Sequence, residues 1–197
     1  MKSSFRDYFF QAILIVFSVL LALFLNEYWS GIKSDRELEG VVQNVLKEVR
    51  LNNRKLRETI LYHEELLGRI DSVLADEIYI AGMTGEGGLQ LHLIADKGLM
   101  QNLFGDAAWR AALLNGNLSR LKNEKLQAMA KTYDQQELTF LPVNDVMSIV
   151  SSREYLMADR GKENLLLIKG QLNELFGREK RLAIFYKELL ELFKEEN

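Results

Sequence analysis

The stretch LEGVVQNVLKEVRLNNRKLRETILYHEELLGRIDSVL, residues 38–74, carries its apolar side chains at a regular pace. They step from Leu38 through Val41, Val45, Val49, Leu56, Ile60, Leu67 and Ile70 to Leu74, with Asn52 and His63 filling the two gaps. Ten steps cover thirty-six residues, a mean spacing of 3.6. That is the period of a straight α-helix, whereas a left-handed supercoil needs about 3.5, so the pattern predicts a helix packed on its own domain and not a coiled-coil stalk. A single proline, Pro142, and long segments rich in Leu, Glu, Lys, Arg, Ala and Gln extend the same reading to the rest of the chain. The expected fold class is all-α: one N-terminal transmembrane helix followed by an antiparallel helical bundle.

Upstream of this stretch lies YFFQAILIVFSVLLALFL, Tyr8 to Leu25. Eighteen helical residues reach about 27 Å, close to the roughly 30 Å of a bilayer's hydrocarbon core. Its polar side chains are Gln11, near one end, and Ser18, whose hydroxyl can turn back onto the preceding helical turn. Phe5, Tyr8, Phe9 and Phe10 stand at one border and Tyr28 and Trp29 at the other, as headgroup-level aromatics do. A cleaved signal peptide needs small residues after the apolar run, but Asn26, Glu27, Tyr28 and Trp29 follow, which favours an uncleaved anchor. A core helix on a small domain would show a polar stripe, and this run has no charge. Lys2 and Arg6 before the span balance Lys33 and Arg36 after it, so the short leading tail and free amino group tip the orientation toward amino-terminus-in. The expected location is a single pass through the cytoplasmic (inner) membrane with the body outside the cytoplasm. The absence of cysteine suits an oxidising compartment. Residues 1–30 then form tail and anchor, and residues 31–197 a soluble helical domain.

Downstream, Gly82, Gly85, Gly87, Gly88 and Gly98 mark a connector near residues 81–98, with room for a short strand or helix. Asp106 is placed to cap a short helix ending at Gly116, and Asn123 to cap the next, on which Leu126, Met129, Ala130, Tyr133 and Leu138 share a face. Pro142 ends or kinks that helix, and Asp145 is placed to restart the chain. A last helix is expected from about Lys162 to Lys194, burying Leu165, Ile168, Leu172, Phe176, Ala183, Tyr186, Leu190 and Phe193.

Chemistry is sparse. The formal charge of −3 is mixed in sign, which leaves nucleic acid without an electrostatic footprint. A zinc-protease motif at His63-Glu64-Glu65 needs a second histidine at position 67, where Leu67 stands; a di-iron carboxylate motif needs Glu three residues before each histidine, where Ile60 and Leu89 stand before His63 and His92. No Gly-x-Ser-x-Gly elbow, Ser-x-x-Lys pair or phosphate-loop ending appears. Asp71, Asp76 and Glu77 depart from calcium-loop spacing and read as solvated acids, and Asn117-Leu118-Ser119 has the bare form of a glycosylation acceptor. His63, on the apolar stripe, is expected to be a hydrogen-bonded, partly buried core histidine. No catalytic, cofactor-binding or metal-ligating residue is predicted, no cofactor is implied, and the chain is not expected to be an enzyme.

The span running into LNEYW, with Asn26 and Trp29, and the charged helix with Glu48 and Asn52 resemble a family of uncharacterised bacterial single-pass membrane proteins, a domain of unknown function. The segment DAAWRAALLNGNLSRLKNEKLQAMAKTYDQQE resembles that family's Trp-turn-Leu-Tyr helical hairpin through Trp109, Gly116, Leu118, Leu121, Leu126 and Tyr133. The resemblance covers about a third of the chain and implies a bitopic helical protein with no activity attached. Trp109 and Tyr133 are expected to pack as core rings on neighbouring helices. The expected partners are the lipid bilayer, through Tyr8–Leu25, and a protein or a second copy of the chain. The leading role is a membrane-tethered interaction or scaffold module. The alternatives are an enzymatic or small-ligand pocket lined by Tyr133, His63 or the acids beside the glycine-rich connector, and a sensory domain passing signals to a membrane partner.

Overall fold

A computed structural model describes residues 3–85, 87–99 and 104–194. Lys2, Glu195 and Glu196 lie outside the described residues, as do the side chains of Phe5, Arg6 and Asn117. Among the described residues the fold is all-α apart from one two-stranded hairpin. Helix α1, Ser3–Leu74, continues for 72 residues without a break, through Gly31 and Gly40, and ends where the apolar stripe ends. At 1.5 Å per residue it is about 108 Å long. From Tyr8 to Ser30 every described side chain on it is exposed, and burial begins only at Gly31. This part of α1 is long and apolar enough to cross a membrane. Ser18 donates its hydroxyl to the Leu14 carbonyl at 2.7 Å, so its polarity is spent within the helix.

After α1 come α2 (Glu77–Gly82), the hairpin strands β1 (Thr84–Gly85) and β2 (Gly88–Leu89), α3 (Ala107–Leu114), α4 (Asn123–Thr139), α5 (Leu141–Val150) and α6 (Gly161–Leu192). Helix α6 is the central partner: α1, α4 and α5 all pack on it, and α3 leans on α1. The glycine-rich connector holds α2 and the hairpin, whose register pairs Thr84 with Leu89 and Gly85 with Gly88. Gly88 is required there. Its φ is +82°, and a Cβ would stand 2.0 Å from the Tyr155 carbonyl oxygen.

Several local expectations are revised. Asp106 precedes α3 but makes no capping bond with its side chain and instead pairs with Arg110. Helix α4 starts at Asn123 itself, with Lys122 in the capping position. Pro142 does not close a helix so much as open one: α4 stops at Thr139 and α5 begins at Leu141, with proline in its first turn, where a missing N–H costs nothing. Asp145 therefore sits inside α5. On α6 the stripe follows Leu165, Ile168, Leu172, Leu175, Glu179, Leu182, Tyr186 and Leu189, while Phe176, Ala183, Leu190 and Phe193 only flank it. The sequence stripe drifted because the helical period places a carboxylate, Glu179, in the middle of the buried face.

The core has two apolar lobes. One gathers Leu66, Ile70, Leu165, Ile168, Leu172 and Val146 at the end far from the exposed segment. The other gathers Val45, Val49, Leu56, Met129, Leu182 and Tyr186 nearer to it. Between them, and into the second lobe, runs a set of fully buried polar side chains that includes Asn52, Thr59, His63, Thr132, Thr139 and Glu179.

Candidate functional site

The buried polar residues form three clusters on α1: the first reaches the start of α3, and the other two reach the chain between β2 and α3. In the first, Glu48 accepts the Ala108 N–H at 2.9 Å and the Trp109 N–H at 3.4 Å. A carboxylate on α1 thus does for the N-terminus of α3 what Asp106 does not, satisfying orphan donors and complementing the helix dipole. Glu48 also accepts the Tyr133 hydroxyl at 2.7 Å. The Tyr133 ring stacks on Trp109 with centroids 5.2 Å apart and planes 3° from parallel. Burial first, and then the bond to Glu48 and its negative charge, push the Tyr133 hydroxyl above its usual range. It is a fixed donor, not a base at neutral pH.

In the second cluster, Asn52 donates to the Gly105 carbonyl at 2.7 Å and accepts the Gly105 N–H at 3.0 Å, as a neighbouring strand would. Asn52 also donates to Gln136 Oε1 at 3.0 Å, and Tyr186 donates to the same oxygen at 2.5 Å. One carbonyl oxygen has two lone pairs, so both are accommodated. Burial pushes the Tyr186 hydroxyl up, and the charge of Glu48 adds to the rise, while its bonding with Asn52 acts the other way.

The third cluster is His63 with Glu179, 1% and 0% exposed. Nδ1 of the ring lies 2.9 and 3.0 Å from the two carboxylate oxygens, and Nε2 lies 2.9 Å from the Leu99 carbonyl oxygen. A carbonyl only accepts, so Nε2 carries a proton, and a further proton is shared between Nδ1 and Glu179. The pair is neutral as a unit in either arrangement. His63 is thus more buried than its place on the stripe suggested. Together His63 and Asn52 clamp the chain at Leu99 and at Gly105.

The other sequence candidates stand apart. Asp71 pairs with Lys169, Asp76 caps α2 through the Ile78 and Tyr79 N–H groups, and Glu77 reaches Lys162. His92 is exposed on a single helical turn, and Glu64 and Glu65 face solvent. Among the described residues no group of three or more His, Asp or Glu side chains converges as a metal site would.

An open groove of about 870 Å³ runs between α1 and α3. Its floor is Val41, Phe104 and the Glu48–Asn52–Gly105 edge of the polar clusters. One wall is the small-residue face of α3: Ala107, Ala108, Ala111 and Ala112, ending at Asn115. The other lip is Lys47, Arg50, Leu51, Arg54 and Lys55 of α1, at helical spacings of three and four. Among the described residues no carboxylate stands within ion-pair distance of Lys47, Arg50 or Arg54. Neither Tyr133 nor His63 lines the groove. Residues 47–57 hold five basic side chains against Glu48 alone in a chain of net charge −3, and that local excess was the signal available in the sequence.

Of the residues behind the family resemblance, Glu48, Trp109 and Tyr133 meet in the first cluster and Asn52 stands one turn further along α1, whereas Gly116, Leu118, Leu121 and Leu126 take no part in these hydrogen bonds. Comparison with family models, with curated proteins and with solved structures found no match for the chain.

Proposed function

We propose that this chain is a single-pass membrane protein of the bacterial family it resembles, a non-catalytic module whose helical body binds a protein partner beside the bilayer. Tyr8–Leu25 lies in the cytoplasmic membrane, the amino terminus faces the cytoplasm, and the body stands outside it as an antiparallel bundle. The bundle reading is supported by the descending pairings of α1 with α6, Asp71 with Lys169 and His63 with Glu179. The observation that carries the proposal is the change of state along one unbroken helix: α1 leaves an apolar surface uncovered from Tyr8 to Ser30 and from Val42 becomes the spine of the core. Such a length of uncovered Leu, Phe, Ile and Val is costly in water and favourable in lipid.

The same continuity supports a second reading, a sensory one, because a rigid helix shared by span and core couples displacement of one to the other. Both readings predict that the protein stays in vesicles through a carbonate wash, that added protease digests the body in intact spheroplasts, and that crosslinking in native membranes recovers a reproducible companion. Release by carbonate, or recovery of the monomer alone, overturns the proposal.

A further inference from the structure

We propose that the groove between α1 and α3 is the docking site for an acidic amphipathic helix of a different protein. The inference rests on the protein-binding reading above and names the surface and the chemistry of the partner.

Shape comes first. The groove is open, and the α3 wall offers Ala107, Ala108 and Ala111, whose short side chains let another helix approach closely. Leu51, 41% exposed, offers an apolar contact on the opposite lip. A helix laid here would complete a three-helix packing unit with α1 and α3, burying apolar area that the fold leaves open.

Charge then selects the occupant. The chain has more acids than bases, yet among the described residues Lys47, Arg50 and Arg54 have no carboxylate within ion-pair distance, while cations such as Arg69, Arg120 and Arg178 lie against Asp96, Asp35 and Glu174. Lys47, Arg50 and Arg54 fall on one helical face at steps of three and four, so they match Asp or Glu repeating at the same steps on a helix running alongside. Glu48 forms no ion pair with them, and its two oxygens are held by Ala108, Trp109 and Tyr133.

Distance decides against lipid. Lys47 follows the end of the apolar run by 22 residues and Arg54 by 29. On a continuous helix these steps are about 33 and 44 Å, several times the roughly 8 Å screening length at physiological ionic strength. Headgroups of the protein's own bilayer therefore exert little pull on the groove. A symmetric second copy in the same membrane is also disfavoured, since it sets the same basic lip at the same height.

The test is selection from a displayed library of helical peptides against the full chain in nanodiscs of neutral phosphatidylcholine. Peptides enriched on the native protein should carry Asp or Glu at three- and four-residue steps beside Ala and Leu. The variant Arg50→Glu/Arg54→Glu, altered only at exposed positions, should lose these peptides by about tenfold or more and enrich basic ones instead. Ala111→Trp, which fills the groove from the exposed side of α3, should abolish binding of both sets. Thermal melts of the variants check that each remains folded. No enrichment, enrichment without acidic bias, insensitivity to both variants, binding only to anionic phosphatidylglycerol vesicles, or a dimer crosslinked through Leu51 would each overturn the proposal. If selection fails while crosslinking in native membranes still captures a companion through another face, the groove falls and the partner-binding reading stands.

Discussion

The His63–Glu179 pair makes the sharpest energetic prediction. Both side chains are fully buried, and their hydrogen bonds close on each other and on the Leu99 carbonyl. His63→Leu removes the donors from a buried carboxylate and strands the Leu99 oxygen, and Glu179→Leu leaves Nδ1 against apolar neighbours. Breaking a buried charged pair from one side costs about 3–5 kcal/mol. A domain is stable by about 5–15 kcal/mol, so either change removes a large share of the total. For a body of this size each kcal/mol moves the melting midpoint by about 2–4 °C, which predicts a fall of roughly 6–20 °C for each single variant. The double variant His63→Leu/Glu179→Leu leaves only the Leu99 oxygen unsatisfied and should recover at least about 2 kcal/mol relative to His63→Leu. Glu179→Gln should be tolerated, because an amide can donate to Nδ1 while Nε2–H stays on Leu99. Circular dichroism melts and urea titrations of the full chain in detergent measure all four. Single variants within about 1 kcal/mol of wild type, with additive effects in the double, would mean that the pair is solvated and that its burial contributes nothing to the fold.

Other outcomes follow from the same structure. Gly88→Ala places a methyl group where the Tyr155 carbonyl already stands and forces an unfavourable φ, so it should cost more than about 2 kcal/mol by urea titration; a loss below about 0.5 kcal/mol would show that the hairpin is free to move away. Tyr133 and Tyr186 titrate above their ordinary value when folded, so the folded state holds protons that the unfolded chain releases above about pH 10. Stability from this source is complete below that pH and falls above it by up to about 1.4 kcal/mol per pH unit for each tyrosine. Tyr133→Phe should flatten the alkaline slope of the urea midpoint, and an unchanged slope would contradict the burial of that hydroxyl. Val16→Arg/Leu20→Arg should weaken membrane insertion by about 7 kcal/mol and move the protein into the carbonate-soluble fraction, whereas full retention in the pellet would argue against Tyr8–Leu25 as the span.

The helical elements were legible because their signals are periodic and local. The 3.6-residue step placed the part of α1 from Leu38 to its end at Leu74, though not its continuity with the apolar run, and the boundaries of α6 follow from its composition. Asn52 and His63 were visible as polar residues at stripe positions, which marked His63 as a hydrogen-bonded core group. What they bond to was not visible. Gly105 lies 53 residues from Asn52 and Glu179 lies 116 from His63, and such pairings depend on tertiary docking that no local pattern reports. The cap of α3 shows the same limit: Asp106 has the right type and position, but Glu48, 60 residues before Ala108, takes the donors. The groove was missed for a different reason. A net charge summed over the chain hides a basic stretch of eleven residues, and only the placement of α3 beside α1 turns that stretch into the lip of a cleft.

The polar clusters also bear on why α1 and α6 meet in one register. Both present stripes made largely of Leu, Ile and Val, and sliding one helix past the other by a turn, about 5.4 Å, again sets aliphatic against aliphatic. Apolar packing alone therefore discriminates weakly between neighbouring registers. The same slide carries Glu179 a full turn from His63, far beyond the 2.9 Å contact, and leaves a carboxylate buried without a donor. We infer that the pair selects the register more than it adds to stability, a role polar core groups have in helical assemblies. The absence of cysteine makes this directly measurable, since spin labels introduced at Glu65→Cys and Lys180→Cys, both exposed, are the only ones the chain will carry. Dipolar distance measurements on the native core should give one narrow distribution, and the His63→Leu/Glu179→Leu core should add a second population displaced by about a helical turn even where its melting midpoint has recovered. A single unshifted distance in that variant would transfer the register-setting role to Asn52, which Gln136 connects to Tyr186 of α6.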